Sequence, residues 1–344
     1  MSRTEWGWGP IQAQALQELG RPEGSAHVEG PAPATELRWS RVIEELRGEY
    51  RVIGDTEEIP SVLPGKWRKS SRIVPAVGDW VGLETAKVDG RTLIAEVLPR
   101  RNKLSRQAAG ETVEEQVLAA NLDRVFVLTS LNEDLNARRL ERFFAIIFES
   151  GAAATLLFTK KDLCQDLTLA HELVRALKSV DHEFLSVNDP ASFARVQARL
   201  RPGQTAALMG SSGVGKSTLI NALLGRDAQK TFEVRTDDAK GRHTTTSRRM
   251  FRLPTGELFI DMPGVREVQL WKANEGVRET FEDIKELSLR CKFTNCTHFN
   301  EKNCAVRAAI EDGRVTRDRL EAYRKLLGEL KGFKKPRNPP KLKG

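Results

Sequence analysis

Three things are scarce in this 344-residue chain, and each scarcity closes off a class of protein. No stretch is long and apolar enough for a membrane span or a secretory leader, so no membrane partner is expected. Cysteine occurs only four times. Three of those cysteines fall between positions 291 and 304, and free thiols spaced as metal ligands fit a reducing, cytoplasmic setting rather than a disulfide scaffold. Acidic side chains are absent from Lys331 to Lys343, where six basic residues and three prolines read as a disordered basic tail suited to phosphate contacts.

The length allows two or three domains with cores of their own. A formal charge of +8 favours an anionic partner. A second basic run, Lys66-Trp67-Arg68-Lys69 through Arg72, sets an aromatic among cations in a loop of a strand-rich region, as nucleic-acid-binding barrels do. RNA is the expected anion.

The strongest motif is Gly210-Ser211-Ser212-Gly213-Val214-Gly215-Lys216-Ser217, a P-loop, followed by Thr218. Its glycines let successive backbone N–H groups curl round phosphate oxygens at a helix N-terminus. Lys216 is expected to reach the terminal phosphates and Ser217 to ligate magnesium. The flanks fit, because Thr205 to Met209 reads as a buried strand and Ser217 to Leu224 as a helix ended by Gly225.

Downstream, the strand Leu258-Phe259-Ile260 ends in Asp261-Met262-Pro263-Gly264, where Asp261 can hold the magnesium and the Gly264 N–H can meet a γ-phosphate. Between the two lies Gly241-Arg242-His243-Thr244-Thr245-Thr246, a polar loop with the threonines a γ-phosphate sensor requires; Thr245 is preferred to Thr244 as metal ligand. Upstream, the run Ala153 to Phe158 ends in Thr159-Lys160-Lys161-Asp162. A carboxylate at Asp162 can accept two hydrogen bonds from guanine's ring and exocyclic N–H groups, which adenine cannot offer. Lys160 accompanies it, and Ser186-Val187, at the next strand end, can present a backbone N–H to the base oxygen. The base-reading segment thus precedes the phosphate loop, an order that signals circular permutation. The site survives permutation because these loops meet at the carboxyl edge of an open parallel sheet.

With this motif order the chain resembles the circularly permuted GTPases of the RsgA (YjeQ/YloQ) family, which act on the small ribosomal subunit of bacteria. The resemblance runs from about Glu49 to Tyr323 and includes Gly78-Asp79-Trp80-Val81, Arg101 to Arg106, Ala119-Ala120-Asn121, Gly241 to Thr246 and Asp261 to Arg266. It implies an OB-fold barrel, an α/β circularly permuted P-loop GTPase domain and a small α-helical zinc-binding domain. The expected boundaries are an N-terminal extension and linker over 1–48, the barrel over 49–112, the GTPase domain over 113–272, the zinc domain over 273–331 and the tail over 332–344. It also implies GTP and GDP as ligands, magnesium, one structural zinc, the small subunit and its 16S rRNA as partners, and a monomer. The chain departs from the family at Thr159, where an Asn is usual; a hydroxyl has fewer hydrogen-bonding options than an amide, so weaker nucleotide affinity is expected.

Cys291, Cys296, His298 and Cys304 supply three thiolates and an imidazole, the donor set of a closed tetrahedral zinc site. Cys164 reads as a packed thiol. Beyond the cluster, Leu320, Tyr323, Leu327 and Leu330 follow helical spacing and predict a face packed on the rest of the zinc domain.

Hydrolysis has one conspicuous gap. Val265 stands where many GTPases place a water-orienting glutamine, so the free protein is expected to be slow, and His243 is the candidate to approach the attacking water beside Lys216 and Thr245. Two other functions compete with a subunit-stimulated GTPase: an RNA-binding scaffold gated by nucleotide, and an ATP-using phosphotransferase, which shares the P-loop but has no need of Asp162.

Overall fold

The computed structural model describes residues 2–19, 37–46, 48–55, 57–65, 67, 73–108, 114–132, 134–177, 180–225, 248–262 and 268–332. Short alternating segments punctuated by turns give five strands: β1 (Arg38–Leu46), β2 (Glu49–Ile53), β3 (Glu58–Val62), β4 (Trp80–Val88) and β5 (Arg91–Val97). They run in the order β1-β2-β3-β5-β4, and β4 returns to pair with β1, closing an OB-like barrel. Within the barrel only β3 and β5 pair in parallel.

Val42, Tyr50, Val52, Val81, Leu83 and Ile94 fill the barrel. Trp67 is among them, only 3% exposed, with its indole N–H donated to the Ile73 carbonyl. The reading of this aromatic as part of a nucleic-acid-binding loop is therefore corrected: an indole is mostly apolar area, and here it closes the core. The cations at 66 and 68–72 lie outside the described residues. β1 falls within the segment read above as extension and linker, so the barrel's first strand begins at Arg38.

The N-terminal stretch is packed rather than free. Helix α1 (Pro10–Glu18) follows a short turn in which Trp6 is buried, and Trp8 meets Trp80 edge-on at 4.8 Å. Arg41, fully buried, donates to Trp6 O, to Gly78 O and to Thr205 Oγ1, fastening this stretch to the barrel and to the next domain. Burial lowers its pKa to about 10, opposed by Asp123 and Asp79.

After the hairpin β6 (Lys103–Gln107) and β7 (Glu115–Ala120), apolar strands alternate with helices: β8 (Arg124–Ser130), α2 (Ala137–Ser150), β9 (Ala153–Thr159), α3 (Thr168–Ala176), β10 (Asp181–Phe184), α4 (Pro190–Gln197), β11 (Thr205–Gly210) and α5 (216–225). Strands β12 (Arg248–Arg252) and β13 (Leu258–Asp261) complete the domain. The order β10-β9-β8-β11-β13 is parallel throughout, with β12 antiparallel beside β13. Near-continuous apolar strands belong in such a sheet because helices cover both faces. Phe126, Leu128, Leu208 and Phe259 pack toward α5, while Val125, Val127, Leu156 and Ile260 share a core with Leu140, Phe143 and Phe144 of α2.

At its edge β12 pairs with β1, Glu44 opposite Arg249 and Glu45 opposite Arg248, so the sheet runs on into the barrel. The chain then forms α6 (Asn274–Thr280), α7 (Glu282–Ser288), α8 (Ala305–Glu311) and α9 (Arg317–Gly332). Helix α6 lies so close to α2 that a Cβ on Gly276 would sit 1.8 Å from the Ala145 carbonyl oxygen, which excludes any larger residue. In α9, Leu320 and Leu330 are buried and Tyr323 packs on Phe281 at 5.4 Å. That face also reaches α2, because Arg142 grips Glu329 through two hydrogen bonds.

Candidate nucleotide site and metal centre

The phosphate loop leaves the end of β11 and enters α5. At Gly210 a Cβ would lie 2.6 Å from the Leu128 carbonyl oxygen, and Gly215 holds φ +108°, so both positions require glycine. Val214 is buried and anchors the loop, while Ser212, Gly213, Ser217 and Thr218 are exposed on its outer rim. Lys216 is folded inward, its Nζ 3.0 Å from Gly210 O and 2.9 Å from Ser211 O. Burial lowers its pKa, opposed by Asp261 and Asp134.

Asp261 ends β13 next to β11, opposite Leu208. Burial raises its pKa against the pull of Lys216, and its Oδ1 is buried without a hydrogen-bond partner among the described residues. A buried carboxylate oxygen left unsatisfied costs about 1–3 kcal/mol unless something binds it. On the strand paired with the one that feeds the phosphate loop, and within electrostatic reach of Lys216, that orphan fits a magnesium ion held directly or through its water shell.

The segment expected to read the base comes to this loop from β9. Thr159 Oγ1 donates to the Val214 carbonyl at 2.6 Å, with a weaker 3.4 Å approach to Thr129 O. The hydroxyl thus makes the tether for which the family ordinarily supplies an amide, leaving Thr159 with no further donor. Lys160 takes φ +60°, uncommon outside glycine, and this turns the chain so that Lys161 N meets Leu185 O at 3.1 Å. Asp162 is exposed, and its Oδ1 accepts a 3.1 Å hydrogen bond from Ser186 Oγ. Ser186 is buried and Val187 is 60% exposed beside it.

Thr159, Lys160, Asp162, Ser186, the P-loop and Asp261 therefore gather at one sheet edge. His243, Thr245 and Gly264 lie outside the described residues. Asp134 belongs to the site without a motif to announce it: from the loop after β8 its carboxylate accepts the Ser211 hydroxyl and pairs with Arg139 at 2.7 Å. Only the topology that sets β8 beside β11 reveals this contact.

The second centre lies between α7 and α8. Cys291 Sγ is 3.8 Å from Cys304 Sγ and 3.6 Å from His298 Nδ1, Cys304 Sγ is 3.5 Å from the same nitrogen, and all four ligand atoms including Cys296 lie within 4.8 Å of one another. A tetrahedron with Zn–S arms of about 2.3 Å has edges of about 3.8 Å, so the spacing is that of a closed Cys₃His zinc site. Burial and the adjacent Cys304 and Cys291 sulfurs push the Cys296 thiol up to about 11, a crowding that a divalent cation relieves. Cys164 stands apart, its Sγ 3.1 Å from Asp166 O.

An open parallel sheet with a P-loop, a base-reading loop upstream of it in sequence, and a strand-end aspartate facing the loop lysine defines a circularly permuted P-loop GTPase. A family model described as RsgA GTPase matches residues 97–271. A small ribosomal subunit biogenesis GTPase RsgA from Methanosarcina acetivorans is 47% identical over 260 residues, 74% of this chain and 70% of that protein. Its counterpart from Xylella fastidiosa is 41% identical over 335 residues, 95% of each. Among solved structures, YloQ, a circularly permuted GTPase, superposes with a TM-score of 0.59 at 25% identity, covering 91% of this chain and all of that one. YjeQ from Thermotoga maritima shares the fold, with a TM-score of 0.62 at 23% identity over 86% of this chain and 99% of that one. The chain belongs to the RsgA GTPase family. No helix among the described residues is long and apolar enough to cross a membrane.

Proposed function

We propose that this protein is a magnesium-dependent GTPase that binds the small ribosomal subunit, is stimulated by it, and acts as a monomer in late subunit maturation. The observation that carries the proposal is the Thr159 to Val214 hydrogen bond, which brings the guanine-reading loop onto the phosphate loop despite their reversed order. The relatives named as small ribosomal subunit biogenesis GTPases support the choice of partner.

In the proposed cycle Asp162 selects guanine, the Ser186 and Val187 backbone supports the base, and P-loop N–H groups with Lys216 hold the phosphates. Ser217, Asp261 and Thr245 would hold magnesium, which supplies charge neutralisation at the β- and γ-phosphates. Gly264 senses the γ-phosphate, and the segment after it leads within ten residues to α6 and the zinc domain. The barrel, the zinc domain held by Cys291, Cys296, His298 and Cys304, and the basic tail face 16S rRNA. With Val265 unable to orient water, His243 approaches it once the subunit orders that loop.

Side-by-side hydrolysis assays with and without small subunits test this. A many-fold faster turnover with subunits is expected, lost in His243→Ala; equal rates under conditions where binding is demonstrated overturn the proposal.

A further inference from the structure

Between α2, α3, α7 and the start of α9 lies a cavity of about 570 Å³, lined by no residue of the phosphate loop and by none of the zinc ligands, and within the size range of small-molecule sites. At its floor two carboxylates share one guanidinium. Arg319 pairs with Asp283 through hydrogen bonds of 2.7 and 2.9 Å and reaches Glu141 Oε1 at 3.2 Å. It also caps the Ala176 and Thr280 carbonyls, so all but one of its N–H donors are committed. The Glu141 side chain is 6% exposed, and its Oε2 is buried with no hydrogen-bond partner among the described residues. Arg138, one turn away and half exposed, comes no nearer than 4.0 Å.

The buried cluster is thus one positive charge short. The rim does not supply it: Glu172 has Arg175 as its neighbour of opposite sign on α3, Glu286 of α7 has Arg290 in the turn that follows, Arg314 is paired with Asp312 at 2.7 Å, and Asp318 adds a further carboxylate. Leu173 and Val315 supply apolar wall.

We propose that this cavity is a binding site for a small organic amine, whose ammonium group donates to Glu141 Oε2 and whose apolar body lies against Leu173 and Val315. The cation completes the Glu141, Arg319, Asp283 cluster. The site shares no lining residue with the phosphate loop, and it joins GTPase-domain helices to the zinc domain, so its occupant stiffens that junction.

Without a ligand the missing charge is met by a proton. Burial, opposed by Arg319 and Arg138 and reinforced by Asp283, raises the Glu141 carboxyl to about 7. The amine competes with that proton, so affinity rises with pH until the carboxyl is fully ionised.

Calorimetric titration of the full-length, zinc-loaded protein with benzylamine, and with benzyl alcohol as its uncharged isostere, tests the proposal. Benzylamine is expected to bind one equivalent, about tenfold more tightly at pH 8 than at pH 6, with proton release near pH 7. Benzyl alcohol is expected to bind at least tenfold more weakly. Glu141→Gln should remove the pH dependence and the preference for the amine, and Val315→Phe should crowd the apolar wall and weaken binding while leaving Glu141 and basal GTP hydrolysis intact. Equal binding of amine and alcohol, undiminished binding by Val315→Phe, or no heat at millimolar benzylamine at pH 8 overturns it. None of these outcomes depends on stimulation by ribosomal subunits.

Discussion

Thr159 shows how one side chain settles a departure from a family pattern. The sequence predicts a weaker grip from a hydroxyl than from an amide, and the structure shows where the one donor goes, to Val214 O at 2.6 Å. Thr159→Val keeps the shape and leaves that carbonyl unpaired, at a cost of about 1–3 kcal/mol. GDP affinity, followed by fluorescence of a labelled nucleotide, is expected to fall roughly tenfold for a loss near 1.4 kcal/mol; an unchanged value would show that the tether does not shape the phosphate loop. The motif residues were legible because glycine spacing, a strand-end aspartate and a Cys/His cluster each carry local chemistry. Asp134, Arg41 and Glu141 were not, since their partners Ser211, Thr205 and Arg319 lie 77, 164 and 178 positions away. Trp67 was misread because an aromatic among cations looks the same in sequence whether it faces solvent or a barrel core.

The zinc helices depend on groups that no helix supplies alone. Segment 289–304 is mostly exposed turn, and the cluster joins the end of α7 to the start of α8. Stripping zinc with a strong chelator is therefore expected to lower the thermal midpoint of the C-terminal helices by many degrees while the barrel's tryptophan signal holds, because structural zinc contributes folding energy directly; an unchanged midpoint would refute a structural metal. The α2 to α9 junction should respond to pH. Glu141 titrates near 7 in the fold against 4.5 unfolded, so the stability its neutral form confers is full below about pH 4.5 and is lost as pH rises through 7. The loss amounts to about 3 kcal/mol at 1.36 kcal/mol per unit. Urea midpoints should fall more steeply between pH 5 and pH 8 for the wild type than for Glu141→Gln, and parallel slopes would place the ionisation elsewhere. Element types and order were readable from apolar periodicity; the strand starting at Arg38 was obscured because its residues Arg41, Glu44 and Glu45 break the alternation that marks a half-buried strand.

Across the whole molecule, chain order and spatial order are decoupled. Strand β11, which carries the phosphate loop, lies between β8 and β13, and β9, which carries the base-reading loop, lies beyond β8, so the nucleotide edge is intact although the sequence enters it from the base side. Permutation also gives β12, which follows the 226–247 segment holding His243 and Thr245, a place between the GTPase sheet and the barrel. Arg249 is held there by Glu44 and Glu58, and Arg248 by Glu45, so a change in that segment has a short path into the barrel. Everything rests on Asp162 facing the same ligand as Lys216. The most direct measurement is the nucleotide preference of Asp162→Asn, whose amide reverses the donor pattern offered to the base. GTP affinity should fall roughly a hundredfold or more and xanthosine triphosphate should replace GTP as the preferred ligand, with magnesium dependence unchanged; a variant that still prefers GTP would contradict a guanine site built from these loops.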